Sequence, residues 1–237
     1  MNRFLSFIAH ISVVCVLLFA VAPAHALSIL LAGGTMNCVP RLTGLGHTVT
    51  VSDETTWGSI FDYSPYDVVA FEFGSTNPTD INRLVAAVDA GQVGVVFFRG
   101  AGAEATAIAL GLITGLAVFW QTPTDLNVVD NSHCITSHLP LGIINLGYMY
   151  MSYVQSPGAS TTALATGPDG AALLVHNTRR AAITPYYAHA TDHNLENSAG
   201  LAITDRTLQW AAGQACTTTP VEQTTWGAVK ALYGIDR

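Results

Sequence analysis

Residues Gly94–Gly111, GVVFFRGAGAEATAIALG, decide the fold. The apolar run through Phe98 reads as a buried strand, the glycine-spaced turn after it as a tight connection, and the segment from Ala103 as the first turns of a helix. Many α/β enzymes carry their nucleophile on such a strand–turn–helix elbow. Here the turn offers only Arg99, Gly100, Ala101 and Gly102.

Upstream, three further strand signals alternate with helical ones. SILLA (Ser28–Ala32) is a short apolar run ending at Gly33-Gly34, HTVTVSD (His47–Asp53) is β-branched and alternating, and DVVAFEF (Asp67–Phe73) is again a buried run. Before the quoted stretch, TDINRLVAAVDAG predicts an amphipathic helix with Thr79 or Asp80 as N-cap, an apolar face through Ile81, Leu84, Val85 and Val88, and Gly91 as its stop. Strand, helix and strand at these lengths imply right-handed crossovers and a parallel sheet with helices on both faces.

Downstream, LAVFW, DLNVVD, MYMSYV, TALAT, AALLVH and RAAIT are short strands broken by turns such as SPG and GPDG. Such spacing predicts hairpins and an antiparallel extension. A final helix is expected over Ala199–Ala212, followed by the polar CTTTPVEQTT and a short amphipathic WGAVKALYG. The expected architecture is α/β: a flavodoxin-like, mostly parallel sheet with helices on both faces and an antiparallel extension.

The first 26 residues carry a basic start at Arg3, an apolar stretch from Phe4 to Val21, and Ala24-His25-Ala26 as a small-residue cleavage site. They read as a secretory signal peptide, with Pro23 and the small residues favouring cleavage over an uncleaved anchor. The expected organisation is a signal peptide over 1–26, one domain over 27–214, and a linker with a short C-terminal segment over 215–237. The product would be secreted or periplasmic, with no membrane association after cleavage. Losing Arg3 leaves the rest one charge more negative than the whole chain's −7. A nucleic-acid partner is not expected, because phosphate binding needs a basic patch and Arg179-Arg180 is the one adjacent basic pair. Half of the chain is apolar and 11% charged, which fits a buried core rather than disorder.

Cys15 leaves with the leader, so Cys38, Cys134 and Cys216 remain, enough for one disulfide and one thiol. The inferred topology puts Cys38 and Cys134 near one end of the sheet and Cys216 beyond the other. Cys38 to Cys134 is the favoured bridge, against three cysteines packed as small apolar groups. No C-x-x-C spacing suggests a zinc site.

The order of elements, the segment SHCITSHLPLG and the ending GLAITDRTLQWAAG together resemble the class I glutamine amidotransferase-like superfamily, in particular noncatalytic bacterial members and relatives similar to trehalose-utilisation proteins. The matching positions are His133, Ile135, Thr136 and Leu139, with Cys134 where those relatives have proline, and Leu208, Trp210, Ala211, Ala212 and Gly213. The resemblance runs from about Ser28 to Gly213. It implies that catalytic members would carry a cysteine on the elbow and a histidine with a glutamate after the last sheet strand. His189 stands near that histidine's place, but Arg99 to Gly102 hold no Cys, Ser or Thr. Amide hydrolysis through a covalent intermediate is therefore not expected.

Other residues are weighed individually. His189, Asp192, His193 and Glu196 lie within eight residues and suggest a divalent-metal site if helical, although PYY before them and NSAG after favour a polar loop. Gly33-Gly34 with Asp53 imitates a dinucleotide fingerprint but lacks its later glycines. Arg99 with the amides of Gly100 to Gly102 offers an anion seat at a helix start; the alternative pairs Arg99 with Glu72 or Glu104. His133 and His138 read as hydrogen-bonded spacers, and Tyr148, Tyr150 and Tyr153 as sheet packing. No cofactor is implied. The leading expectation is a noncatalytic exported module that binds a small molecule, a carbohydrate or a surface protein at the sheet's carboxyl edge, around Gly33, Gly34, Arg99, Gly100 and His189. A hydrolase or isomerase using the His189–Glu196 cluster, with or without metal, is the alternative.

Overall fold

A computed structural model describes residues 26–32, 38–52, 60, 62–71, 77–98, 103–115, 118–121, 125–146, 151–185 and 198–216. Among them run β1 (Ser28–Ala32), α1 (Val39–Gly44), β2 (Thr48–Ser52), β3 (Val68–Phe71), α2 (Pro78–Asp89), β4 (Gly94–Phe97) and α3 (Glu104–Ala109). The second half holds β5 (Val118–Gln121), β6 (Asp125–Val128), β7 (Gly142–Asn145), β8 (Met151–Val154), β9 (Thr161–Gly167), β10 (Gly170–His176), β11 (Ala181–Ile183) and α4 (Ser198–Ala211).

One sheet takes all of these strands in the order β2-β1-β3-β4-β11-β10-β9-β6-β7, with β8 pairing to β10 and β5. The pairs β1/β2, β1/β3, β3/β4 and β4/β11 are parallel. This is the doubly wound 2-1-3-4-5 order, with β11 as its fifth strand. From β10 outward every pairing is antiparallel. RAAIT therefore closes the parallel block rather than joining the extension, and GIIN at β7 is an edge strand that periodicity missed, being only four residues long.

Alternation along each parallel strand divides the core. Leu30, Val69, Phe71, Val95 and Phe97 face α2 and α3, while Ile29, Leu31, Val68, Ala70 and Val96 face α1 and α4. Phe71 and Phe97 are register partners with ring centroids 5.4 Å apart, a cross-strand pair that adds about 1 kcal/mol to simple burial.

The helix ends follow local chemistry. α2 begins at Pro78, whose missing N–H suits the first helical position, so the cap falls on Asn77, and its Oδ1 accepts the Thr79 N–H at 2.9 Å. That corrects the expectation of Thr79 or Asp80; Asp80 instead faces Arg83 at 3.4 Å inside the first turns. Gly91 (φ 70°) ends the helix as expected. α4 lies so close to β4 that a Cβ on Gly94 would stand 2.0 Å from the Ala211 carbonyl oxygen. Only glycine admits that approach.

The disulfide differs from expectation: Cys134 bridges Cys216, and Cys38 is buried and unbridged. Strand direction explains the correction. β6 pairs with β9, not with its sequence neighbour β5, so it runs opposite to β1 and delivers the segment 129–141 to the amino edge of the parallel strands. α4 descends to the same edge and leads into Cys216, whereas Cys38 follows β1 at the opposite, carboxyl edge.

Candidate functional site

The carboxyl ends of the parallel strands form one row. Ala32 neighbours Phe71, Phe71 neighbours Phe97, and Phe97 neighbours Ile183. From this row the chain continues into the segments carrying the residues singled out by sequence. Gly33, Gly34, Arg99, Gly100 and His189 lie outside the described residues, as do Asp53, Glu72, Tyr148, Tyr150, Asp192, His193 and Glu196. What the structure does establish is the frame: β4, between β3 and β11 in the parallel block, and α3 flank residues 99–102, whose sequence is Arg-Gly-Ala-Gly. One residue beyond β11, the Thr184 hydroxyl is buried and has no hydrogen-bond partner among the described residues.

The opposite, amino edge carries a described groove. Two cavities of about 320 and 380 Å³ meet at His176, Asn177 and Trp210, within the usual range of small-ligand sites. Trp210 comes from the last turn of α4 and meets the His133 ring edge-on, centroids 5.7 Å apart. His133 belongs to the disulfide-bearing segment, where its Nδ1 accepts the Ile135 N–H at 3.3 Å; that bears out its reading as a hydrogen-bonded spacer. Burial lowers the His133 pKa, with the Asp130 charge opposing, so the ring is neutral near pH 7. Asp130 is held below the usual carboxylate range by hydrogen bonds from the Ser132 hydroxyl and N–H, and it stays ionised on the rim. Across the groove, the Thr162 hydroxyl donates to Asn177 Oδ1 at 2.7 Å.

His176 ends β10 and organises the following turn. Its Nδ1 accepts the N–H groups of Thr178 at 3.2 Å and Arg179 at 3.1 Å, an arrangement open only to an imidazole unprotonated at that nitrogen. Burial, with the Arg179 charge, lowers its pKa; Asp89 opposes them. The turn aims Arg179 and Arg180 at helix ends rather than outward. Arg179 Nη1 donates to the Leu110 carbonyl at 2.7 Å and its Nε meets Asp89 Oδ1 at 2.7 Å. Arg180 Nη1 donates to the Ala212 carbonyl at 2.9 Å, and Nη2 to that of Gly91. The adjacent basic pair thus caps the carboxyl ends of α2, α3 and α4, where partial negative charge collects.

His138, also in the 129–141 segment, has its pKa lowered by burial and by the Arg206 charge. Tyr153 is fully buried beneath Gly167, and burial with the Asp169 charge pushes its hydroxyl up to about 12; it is core, as expected. Among the described residues no group of three or more His, Cys, Asp or Glu is placed to hold a metal ion. None of their helices is long and apolar enough to cross a membrane.

Sequence reasoning missed the groove because its residues come from four separated segments. One signal was present, since Trp210 and His133 both stood in the motifs that carried the family resemblance.

No family model matches the sequence, and no curated protein matches it either. Solved structures do. A ThuA-like protein from Bacteroides uniformis superposes with a TM-score of 0.58 at 13% identity, covering 84% of this chain and 98% of that one. A GMP synthase component from Thermoplasma acidophilum gives 0.54 at 15% identity, covering 80% of this chain and 96% of that one. A structure of a glutamine amidotransferase gives 0.45 at 12% identity, covering 78% and 98%. The chain thus has the class I glutamine amidotransferase-like fold, here with an antiparallel extension to its parallel sheet.

Proposed function

We propose that the protein is an exported, noncatalytic binding domain that recognises a carbohydrate. The observation that carries this reading is the elbow between β4 and α3. Beyond the carboxyl end of β4, the sequence between Phe98 and Ala103 is Arg-Gly-Ala-Gly, with no side chain able to attack an acyl carbon. Export is supported by the leader-like first 26 residues together with a disulfide, a bond that persists in oxidising compartments.

The groove at the amino edge supports the ligand class. A sugar offers one face of C–H groups and a rim of hydroxyls. The first packs on an aromatic ring such as Trp210, and the second needs closely spaced donors and acceptors such as Asp130, Thr162 and Asn177. The neutral His133 and His176 and the internally satisfied arginines leave Asp130 as the ionised rim group, which disfavours anionic ligands there.

The test is titration of the purified protein with soluble neutral oligosaccharides, read by calorimetry and tryptophan fluorescence, beside assays for amide and ester hydrolysis. Saturable binding that weakens at least about tenfold in Trp210→Ala is expected, without turnover. Turnover proportional to protein concentration would falsify the noncatalytic reading, and binding indifferent to Trp210→Ala would remove the groove as its site.

A further inference from the structure

The far end of the antiparallel extension is open. β7 is the last strand of the sheet and pairs with β6 on one side alone. Asp125 and Asn145, Leu126 and Ile144, Asn127 and Ile143, and Val128 and Gly142 are register partners. Leu126, Val128 and Ile144 turn to the core cluster around Ile135, Leu139 and Leu146, so the alternate residues turn outward. On that outer side Val129, Leu141 and Ile143 are 47, 61 and 74% exposed. They are three of the four large apolar side chains exposed among the described residues, the fourth being Ile108 on α3. One step past the Val128–Gly142 pair brings Val129 opposite Leu141, so the three form a single patch along the free edge. A cavity of about 370 Å³ continues it past Ile143 to Thr166 and Pro168.

An uncovered apolar edge invites pairing, and natural edges are ordinarily guarded by lysine, proline or an inward charge. β7 reads Gly-Ile-Ile-Asn and carries none of these. Asp125, the one charge on the two strands, lies a strand inward and accepts from Asn145 Nδ2 at 2.9 Å. The chain as a whole is acidic, with a formal net charge of −7. A basic partner finds no row of carboxylates at this edge, whereas an acidic one, such as another copy of the chain, meets no like charge there.

We propose that β7 pairs antiparallel with β7 of a second copy, joining two sheets about a two-fold axis normal to them. The same patch then serves both sides, so an uncharged edge is complementary to itself. The axis keeps the outward faces on one side, where Val129, Leu141 and Ile143 of one copy meet those of the other. The outer backbone groups of the two edge strands exchange hydrogen bonds. In the joined order β6-β7-β7-β6 the two Asp125 carboxylates stand three strand spacings apart, roughly 14 Å, beyond the screening length of about 8 Å at physiological salt. The paired edge is short, because the chain turns at Gly142 (φ 99°) before it and Leu146 is buried after it.

The test is sedimentation velocity on the purified protein, joined to amide hydrogen exchange over residues 141–146. A four-residue edge with three side chains is at the small end of stable interfaces, so monomer should prevail near ~1 μM and dimer near ~100 μM. Exchange over 141–146 should slow between these concentrations. Ile143→Lys should keep the wild-type urea midpoint, since the side chain is exposed, raise the dissociation constant at least about tenfold and abolish the concentration dependence of exchange. Should its midpoint fall, Leu141→Lys makes the same comparison. Ile108→Lys, on α3, should leave the dimer unchanged. A monomer at ~100 μM overturns the proposal, with fast exchange showing an open edge and slow exchange at every concentration showing one covered by the chain itself. A dimer indifferent to both Ile143→Lys and Leu141→Lys places the contact elsewhere and overturns it too. Growth beyond two copies does the same, since it shows head-to-tail joining in place of two-fold pairing.

Discussion

Replacing Cys134 and Cys216 together by serine should cost about 3 kcal/mol of stability. The bridge spans 82 residues of sequence, and closing a loop of that length restricts the unfolded chain by about 4.5 kcal/mol in the loop-entropy treatment. That figure is a ceiling, because real unfolded chains are already partly compact. On the native side little is lost. The Cys134 carbonyl keeps its bond from Arg206 Nη1 at 2.7 Å, and the Thr136 hydroxyl still donates to the Asp130 carbonyl at 2.6 Å, so the 129–141 segment keeps its seat on α4. For a domain of this size the loss corresponds to a Tm lower by roughly 6–12 °C. Urea unfolding of the wild type, of the double variant and of the wild type under reductant is the assay; the second and third curves should coincide. Cys38→Ala should leave the midpoint as sensitive to reductant as in wild type, since Cys38 is unbridged. A double variant within about 0.5 kcal/mol of wild type, or a mapped peptide linking Cys38 to Cys134, would refute the assignment.

Two further outcomes follow from the amino edge. Arg180→Met should lower the urea midpoint by the equivalent of about 2 kcal/mol, because carbonyls at the ends of α2 and α4 lose a charged donor; an unchanged midpoint would show these caps replaced by water at no cost. Stability should also fall on acidification below 6.5, the ordinary imidazole value, because His133, His138 and His176 all have lowered values in the folded chain. In that window the unfolded state binds more protons than the native one, so stability is complete above it and drains as pH descends toward the folded values. Urea midpoints at several pH values check this, and His176→Gln should flatten part of the slope.

The first four strands of the parallel block were legible because their signals are local: β1, β3 and β4 are short apolar runs, β2 alternates, α2 carries its own stop at Gly91, and the crossover rule then orders what lies between. The N-cap of α2 slipped by two residues because proline at the first turn outweighs a nearby Thr or Asp. Direction at the entry to the extension was not local. β6 passes over β5, the strand before it, to pair with β9, and that single choice sends Cys134 to the amino edge and selects its disulfide partner. Nor does any local pattern reveal that Arg180 reaches carbonyls 89 residues before it and 32 after it, just past the ends of α2 and α4.

The turn after β10 joins scaffold and groove in a way that bears on both. His176 Nδ1 gathers the N–H groups of Thr178 and Arg179, which fixes the turn; the turn directs Arg179 and Arg180 into three helix ends and leaves Asn177 on the groove wall. Protonating His176 replaces an acceptor by a donor facing two donors, so the turn cannot keep its form in that state. Helix capping and the groove's polar wall then fail together. A ligand held by Asn177 and Trp210 should accordingly lose affinity over the same acidic window in which the domain loses stability. Conversely, a bound ligand should shift that window downward, because it stabilises only the form in which His176 is neutral.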